Sequence, residues 1–206
     1  QTLFAEERHR IMRLLSQETL ARLDQLYTQA YRDNYGVIIA FHRDELEVPR
    51  ELQVAAEIAL GYRCLTTLRS LEQDISELQL SWKHLRELEA IATEAKHLRC
   101  QLNIPNGNQI IEQLIVHLLW QLLYAANSEM DADIQRLERL IDIAHELHLG
   151  INLNHAQELY WSCLHSQILP RITSIDNEAE TIQCRQLLKL GKKLAVDVSP
   201  YLDKLA

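Results

Sequence analysis

Glycine and proline are scarce in this chain of 206 residues, at 5 and 4, so it has few of the tight-turn sites that a protein of β-hairpins needs. Cysteine is sparse and scattered: Cys64, Cys100, Cys163 and Cys184 form no CxxC pair, and the chain is not a short secreted disulfide scaffold. They read as four buried, reduced thiols, and the expected location is cytoplasmic. Positive charge is in deficit, 21 Lys and Arg against 29 Asp and Glu, for a net charge of −8. No basic run offsets it, so a phosphate backbone is repelled and nucleic acid is not an expected partner. No uninterrupted apolar run is long enough for a bilayer either. The most apolar stretch, "IIEQLIVHLLWQLLYAA", is broken by Glu112, Gln113, His117 and Gln121, which predicts a core helix and no membrane partner. The first residues lack the basic start and apolar run of a signal peptide. A chain opening on Gln1 inside a helical pattern reads as an excised C-terminal piece of a longer protein.

What is abundant is Leu, Glu, Gln, Ala and Arg, side chains that lose little rotamer freedom in a helix. The predicted fold is all-α, a helical bundle or a short array of helical hairpins with about seven helices, in a single domain over residues 1–206. Apolar spacing places helices over about 3–35, with Ser16 a possible cap of a second segment, and from Pro49 through Leu60. Others run from Trp82 to Leu98, from a cap at Asn108 to Asn127, and over 131–149. Two more span 154–174, bent or divided at Pro170, and 178–194. Gly61, inside the second pattern, signals a close crossing or an early end. The helix after Asn108 is apolar around most of its circumference and is the expected centre of the core.

One joint recurs. "ELEVP", "QLNIP" and "GINLN" each place an apolar, polar, apolar triplet just before a new helix, with Leu46 and Val48, Leu102 and Ile104, and Ile151 and Leu153 as the apolar pairs. Spacings of roughly 50 residues indicate a repeated helical hairpin, in which the pair tucks under the next helix and the middle residue faces water.

Chemistry-bearing constellations are weak. Glu6/His9 and Glu94/His97 have the i, i+3 spacing of di-iron ligands, with Asp142/His145 similar. At about 100° per residue, however, His97 and Asp142 lie far from the apolar stripes of their helices, which predicts surface pairs. His145, His148 and His155 cluster without forming HExxH, and Glu87/Glu89 and Glu178/Glu180 are two apart and face different ways. No nucleophile elbow or phosphate loop is present. The expectation is no catalytic residue, no metal and no cofactor. Trp82, Trp120, Tyr124, Tyr160 and Trp161, set among Leu and Ile, read first as core. The weak candidates for a sugar or partner contact are Tyr160, Trp161 and His155.

"FAEERHRIMRLL", "VPRELQVAAEIALGYRCL" and "INLNHAQELYW" resemble, in that order, a bacterial helical domain found C-terminal to catalytic modules of the glycoside hydrolase family 57 type. The resemblance spans about Phe4 to Pro170 and is densest over Pro49, Leu52, Ala55, Ala56, Glu57 and Leu60. It implies an upstream α-amylase- or α-mannosidase-like module as partner, and a non-catalytic accessory role for this chain, packing on that module or shaping its cleft, with an oligosaccharide as a further ligand. The alternative is a helical-repeat protein interaction domain without a sugar ligand.

Overall fold

The computed structural model describes residues 2–76, 82–124, 130–173 and 178–202, without the side chains of 2–6, 9, 13–14, 75–76, 173 and 178–180. Among the described residues there is no strand, as the composition predicts. The helices are α1 (Thr2–Arg43), α2 (Arg50–Ser76), α3 (Trp82–His97), α4 (Gly107–Tyr124), α5 (Met130–Glu146), α6 (Asn154–Cys163), α7 (Leu169–Thr173), α8 (Glu178–Lys193) and α9 (Ser199–Leu202).

Three expectations change in detail. Ser16 caps nothing: its hydroxyl donates to the Met12 carbonyl at 2.7 Å from inside an unbroken α1, an in-helix use of a hydroxyl that competes weakly with capping. Asn108 lies within the first turn of α4, which opens at Gly107 after Asn106 in a left-handed conformation (φ 57). Pro170 disturbs its helix as expected, but the change of winding lies just before it. It is preceded by a π-helical turn, Leu164–Ile168, joining α6 to α7. A proline in a helix removes one N–H and crowds the carbonyl four residues back, and a wider turn beside it relieves that crowding.

The described residues form two compact units, 1–66 with 93–104 and 67–92 with 105–206. In the first, Tyr31 and Ile38 of α1 are buried, as are Ala55, Ala59, Leu60 and Cys64 of α2 and Ala95 and Leu98 near the end of α3. Gly61 does mark a close approach without ending α2, because a Cβ there would stand 3.2 Å from the Asn103 carbonyl oxygen. Within this core Glu94 is bound on both oxygens. The Tyr31 hydroxyl donates to Oε1 at 2.6 Å and Arg63 Nη1 to Oε2 at 2.8 Å. Glu94 is thus half-buried structure and not the surface partner of His97, which is exposed as predicted. In the second unit α4 packs on α5 and α6, and α5 on α8, around Leu114, Leu118, Leu119, Leu137, Ile141, Leu164 and Leu188. All four cysteines are free. Cys64, Cys163 and Cys184 are buried as expected, whereas Cys100 is only half-buried.

Helices α1, α3, α5 and α8 end alike. The residue past each last turn is left-handed: Glu45 (φ 53), Arg99 (φ 51), His148 (φ 55) and Ala195 (φ 58). Its N–H donates to the carbonyl three residues back, and the following N–H reaches five back, as in Leu46 to Phe41, Cys100 to Ala95, Leu149 to Ala144 and Val196 to Gly191. This Schellman closure satisfies carbonyls that would otherwise be orphaned at a helix end. None of the four residues is glycine, so each closure carries a steric cost of about 1 kcal/mol. The fourth, ahead of "VDVS", adds a joint to the three legible in the sequence.

After each closure comes the apolar, polar, apolar step. Ile104 and Val198 are buried, and Leu102, Ile151, Leu153 and Val196 are half-buried. Leu46, at 58% exposure, departs from the expected tuck. Two residues beyond the middle polar one, the backbone N–H at or just before the next helix is handled in one of two ways. Behind Glu47 and Asn103 stands a proline, Pro49 or Pro105, so the donor does not exist. Behind Asn152 and Asp197 the donor exists and the polar side chain accepts it, Asn154 N–H to Asn152 Oδ1 at 2.9 Å and Ser199 N–H to Asp197 Oδ1 at 3.1 Å.

Each hairpin is also locked by a side chain from its own first helix. Gln53 Nε2 of α2 donates to the Leu98 and Arg99 carbonyls at 3.4 Å, and the Gln101 N–H donates to Glu57 Oε1 at 3.4 Å. The Asn152 N–H donates to Glu112 Oε1 of α4 at 2.7 Å. Gln157 Nε2 of α6 donates to the Leu194 carbonyl at 2.9 Å. The pattern along the chain is a repeated hairpin with a side-chain latch on the following joint.

Candidate partner-binding groove

Between α4 and α6, in the second unit, lies an open groove of about 1110 Å³. Its α4 wall is Gln109, Glu112, Gln113, Val116, His117 and Trp120; Asn152, His155, Glu158 and Leu159 form the other side. The α4 residues fall within an arc of about 140° at 100° per residue, opposite a face of Ile111, Leu114, Ile115, Leu118 and Leu122 buried in the core. The helix is therefore not buried all round, as its apolar content suggested, but carries one polar stripe ending in a Trp120 that is 53% exposed.

The groove is rich in hydrogen-bonding groups that the fold leaves unused. Among the described residues the side chains of Gln109, Gln113, His117, His155 and Glu158 have no hydrogen-bond partner. Gln109 and Gln113 stand one turn apart, and each amide presents a donor and an acceptor together. Glu112, in contrast, is committed to the joint through Asn152. A second concavity of about 370 Å³ is lined by Trp82, Arg86, Glu89, Glu138, Arg139 and Asp142. There several of the charges are paired. Arg139 pairs with Glu89 at 2.6 Å, Lys193 with Asp142 at 2.5 Å, and Arg136 sits 5.2 Å from the centre of the Trp82 ring. Asp142 thus lies at the surface as its helix phase predicts, its side chain 48% exposed and paired with Lys193.

Of the three residues singled out from sequence, the groove holds His155 alone. Tyr160 is fully buried; its hydroxyl donates to the Leu187 carbonyl at 2.9 Å, and burial pushes the phenol well above its ordinary pKa. It pins α6 to α8 and is closed to any ligand. Trp161 is 49% exposed outside the groove, its ring 4.4 Å from that of His165 one turn on. Of the other aromatic residues read as core, Trp120 and Tyr124 are exposed and Trp82 is half-buried. The signal for the missed residues was present in the sequence as Gln109, Gln113, His117 and Trp120, a single polar line on an apolar helix.

Glu6 and His9, the first of the acid–histidine pairs, and Glu178 and Glu180, one of the acidic pairs, lie outside the described side chains. Among the described residues no group of three or more His, Cys, Asp or Glu could hold a metal ion. None of the described helices is long and apolar enough to cross a membrane. Burial raises the Cys64 thiol to about 12, and burial together with the nearby Glu57 carboxylate raises Cys100 to about 12, so neither is an activated nucleophile. No family model, curated protein or solved structure matches the chain.

Proposed function

We propose that this chain is a non-catalytic helical-hairpin interaction domain that holds a polypeptide segment in the α4–α6 groove. The observation that carries the reading is the row of unpartnered amides, Gln109 and Gln113, beside the exposed Trp120. Side-chain amides match the paired donor and acceptor of a peptide backbone, and a Trp supplies the apolar anchor typical of interface centres. The α4 wall from Gln109 to Trp120 runs about 16 Å at 1.5 Å per residue, enough for roughly five residues of extended chain. The groove is open to solvent, which leaves it accessible to such a segment.

The test is selection of a displayed random-peptide library on the full chain and on Trp120→Ala. Peptides that bind the chain and lose affinity on that variant support the reading, and absence of any enrichment rejects it.

A second reading keeps the expectation drawn from the glycoside hydrolase resemblance, an accessory domain of a carbohydrate-active enzyme that docks on its catalytic module and contacts oligosaccharide. The exposed indole of Trp120 among Gln, Glu and His side chains favours it, since a flat apolar face ringed by hydrogen-bonding groups also suits a sugar ring. Titration with malto-oligosaccharides and mannose oligomers, following tryptophan fluorescence, checks it. A saturable change absent from Trp120→Phe supports sugar binding, and a flat response to millimolar sugar removes it.

A further inference from the structure

The walls of the α4–α6 groove are chemically one-sided, and this restricts what segment fits. Of the groups lining it, Glu112 and Glu158 carry formal negative charge, and none is Lys or Arg. Glu158 is exposed and makes no hydrogen bond among the described residues. The chain as a whole carries a net charge of −8, so the field around the groove adds to the local sign. The exposed face of Trp120 attracts a cation through its ring quadrupole. Val116 and Leu159, both half-buried, offer an apolar contact beside these groups.

We infer that the occupant is a basic peptide segment, with Lys or Arg directed at Glu158 and Trp120 and an aliphatic or aromatic side chain against Val116 and Leu159. The inference rests on the peptide-groove reading and specifies its partner. An acidic segment is disfavoured twice, by repulsion from the carboxylates and by the lack of any lining Lys or Arg to receive it. Charge supplies discrimination and encounter rate, while the Trp120 contact and the amides hold the segment once it is seated.

The same library selection decides this, with Glu158→Lys added as a bait. Position 158 is exposed, and circular dichroism of the variant should match that of the parent chain. Enriched peptides should combine Lys or Arg with Leu, Ile or an aromatic residue. A synthesised winner should bind Glu158→Lys about tenfold more weakly, and should weaken several-fold as salt is raised, because exposed pairs are screened. Enrichment of neutral or acidic peptides, or a basic peptide that binds Glu158→Lys as well as the parent, overturns the basic-segment inference and leaves the groove reading standing. No enrichment on any bait overturns both, and a sugar-dependent change in Trp120 fluorescence alongside it transfers the groove to a carbohydrate.

Discussion

Helices α1 and α8 each carry a glycine in their interior, and the two occupy opposite surroundings. A Cβ at Gly36 of α1 would meet nothing within 4 Å, whereas one at Gly191 of α8 would come within 2.5 Å of the Tyr160 hydroxyl and 2.7 Å of its ring. The contrast extends along both helices. In α1, Ile11, Met12, Leu15, Leu23 and Leu26 are exposed, and the first buried residue among the described side chains is Tyr31. In α8, Leu187, Leu188 and Leu190 are buried near the seat that Gly191 makes for Tyr160, as is Leu194 just past the helix. One glycine is slack in a helix held by little; the other is a socket.

Changes at these sites should separate the two regions. The largest effect is expected from Gly191→Ala. Tyr160 is fully buried with its hydroxyl bonded, so its ring has nowhere to retreat, and overpacking should cost about 2–3 kcal/mol, read as a lowered urea midpoint. Tyr160→Phe leaves the Leu187 carbonyl without that hydroxyl, for a loss of about 1 kcal/mol in the same measurement. Gly36→Ala should act in the opposite direction, raising stability by about 0.5–1 kcal/mol through helix propensity, since the added methyl meets no neighbour. A loss at Gly36 equal to that at Gly191 would break the comparison.

Ala195→Gly should stabilise by a similar or smaller amount, up to about 1 kcal/mol, because glycine accepts the left-handed backbone that closes α8 without a Cβ penalty. A further signal is expected in alkali. The folded Cys64 thiol is raised from 9.0 to about 12 by burial, so the folded state holds this proton more tightly than the unfolded chain. Its contribution is complete below pH 9.0 and is lost as pH climbs toward about 12. Urea midpoints taken over that window should fall, and Cys64→Val should flatten part of the decline.

The helical class was legible because Leu, Ala, Glu and Gln at helical spacing leave little alternative, and the joints were legible because an apolar, polar, apolar step before a helix is a local pattern. Gly61 announced its close crossing, and Pro170 its disturbance. What escaped depends on packing across tens of residues. Nothing near Glu94 in sequence reveals that Tyr31 and Arg63 will bind both its oxygens. Likewise Tyr160 and Trp161 are adjacent and both aromatic, yet which one enters the core is decided by Gly191, 31 positions beyond Tyr160. The groove was missed for a different reason. An apolar helix was read for its average, while the function proposed for it rests on one line of exceptions from Gln109 to Trp120.

The two treatments of the donor at the helix entry, deletion by Pro49 and Pro105 or acceptance by Asn152 and Asp197, amount to one fitting with two designs. A backbone that tolerates either does not care which hairpin follows, provided the helix ahead supplies its Gln or Glu latch. Such a joint is a natural splice point. Exchanging whole hairpins between one closure and the next would keep the backbone bonds of each closure, so new recognition surfaces could be assembled from this chain on the same turns.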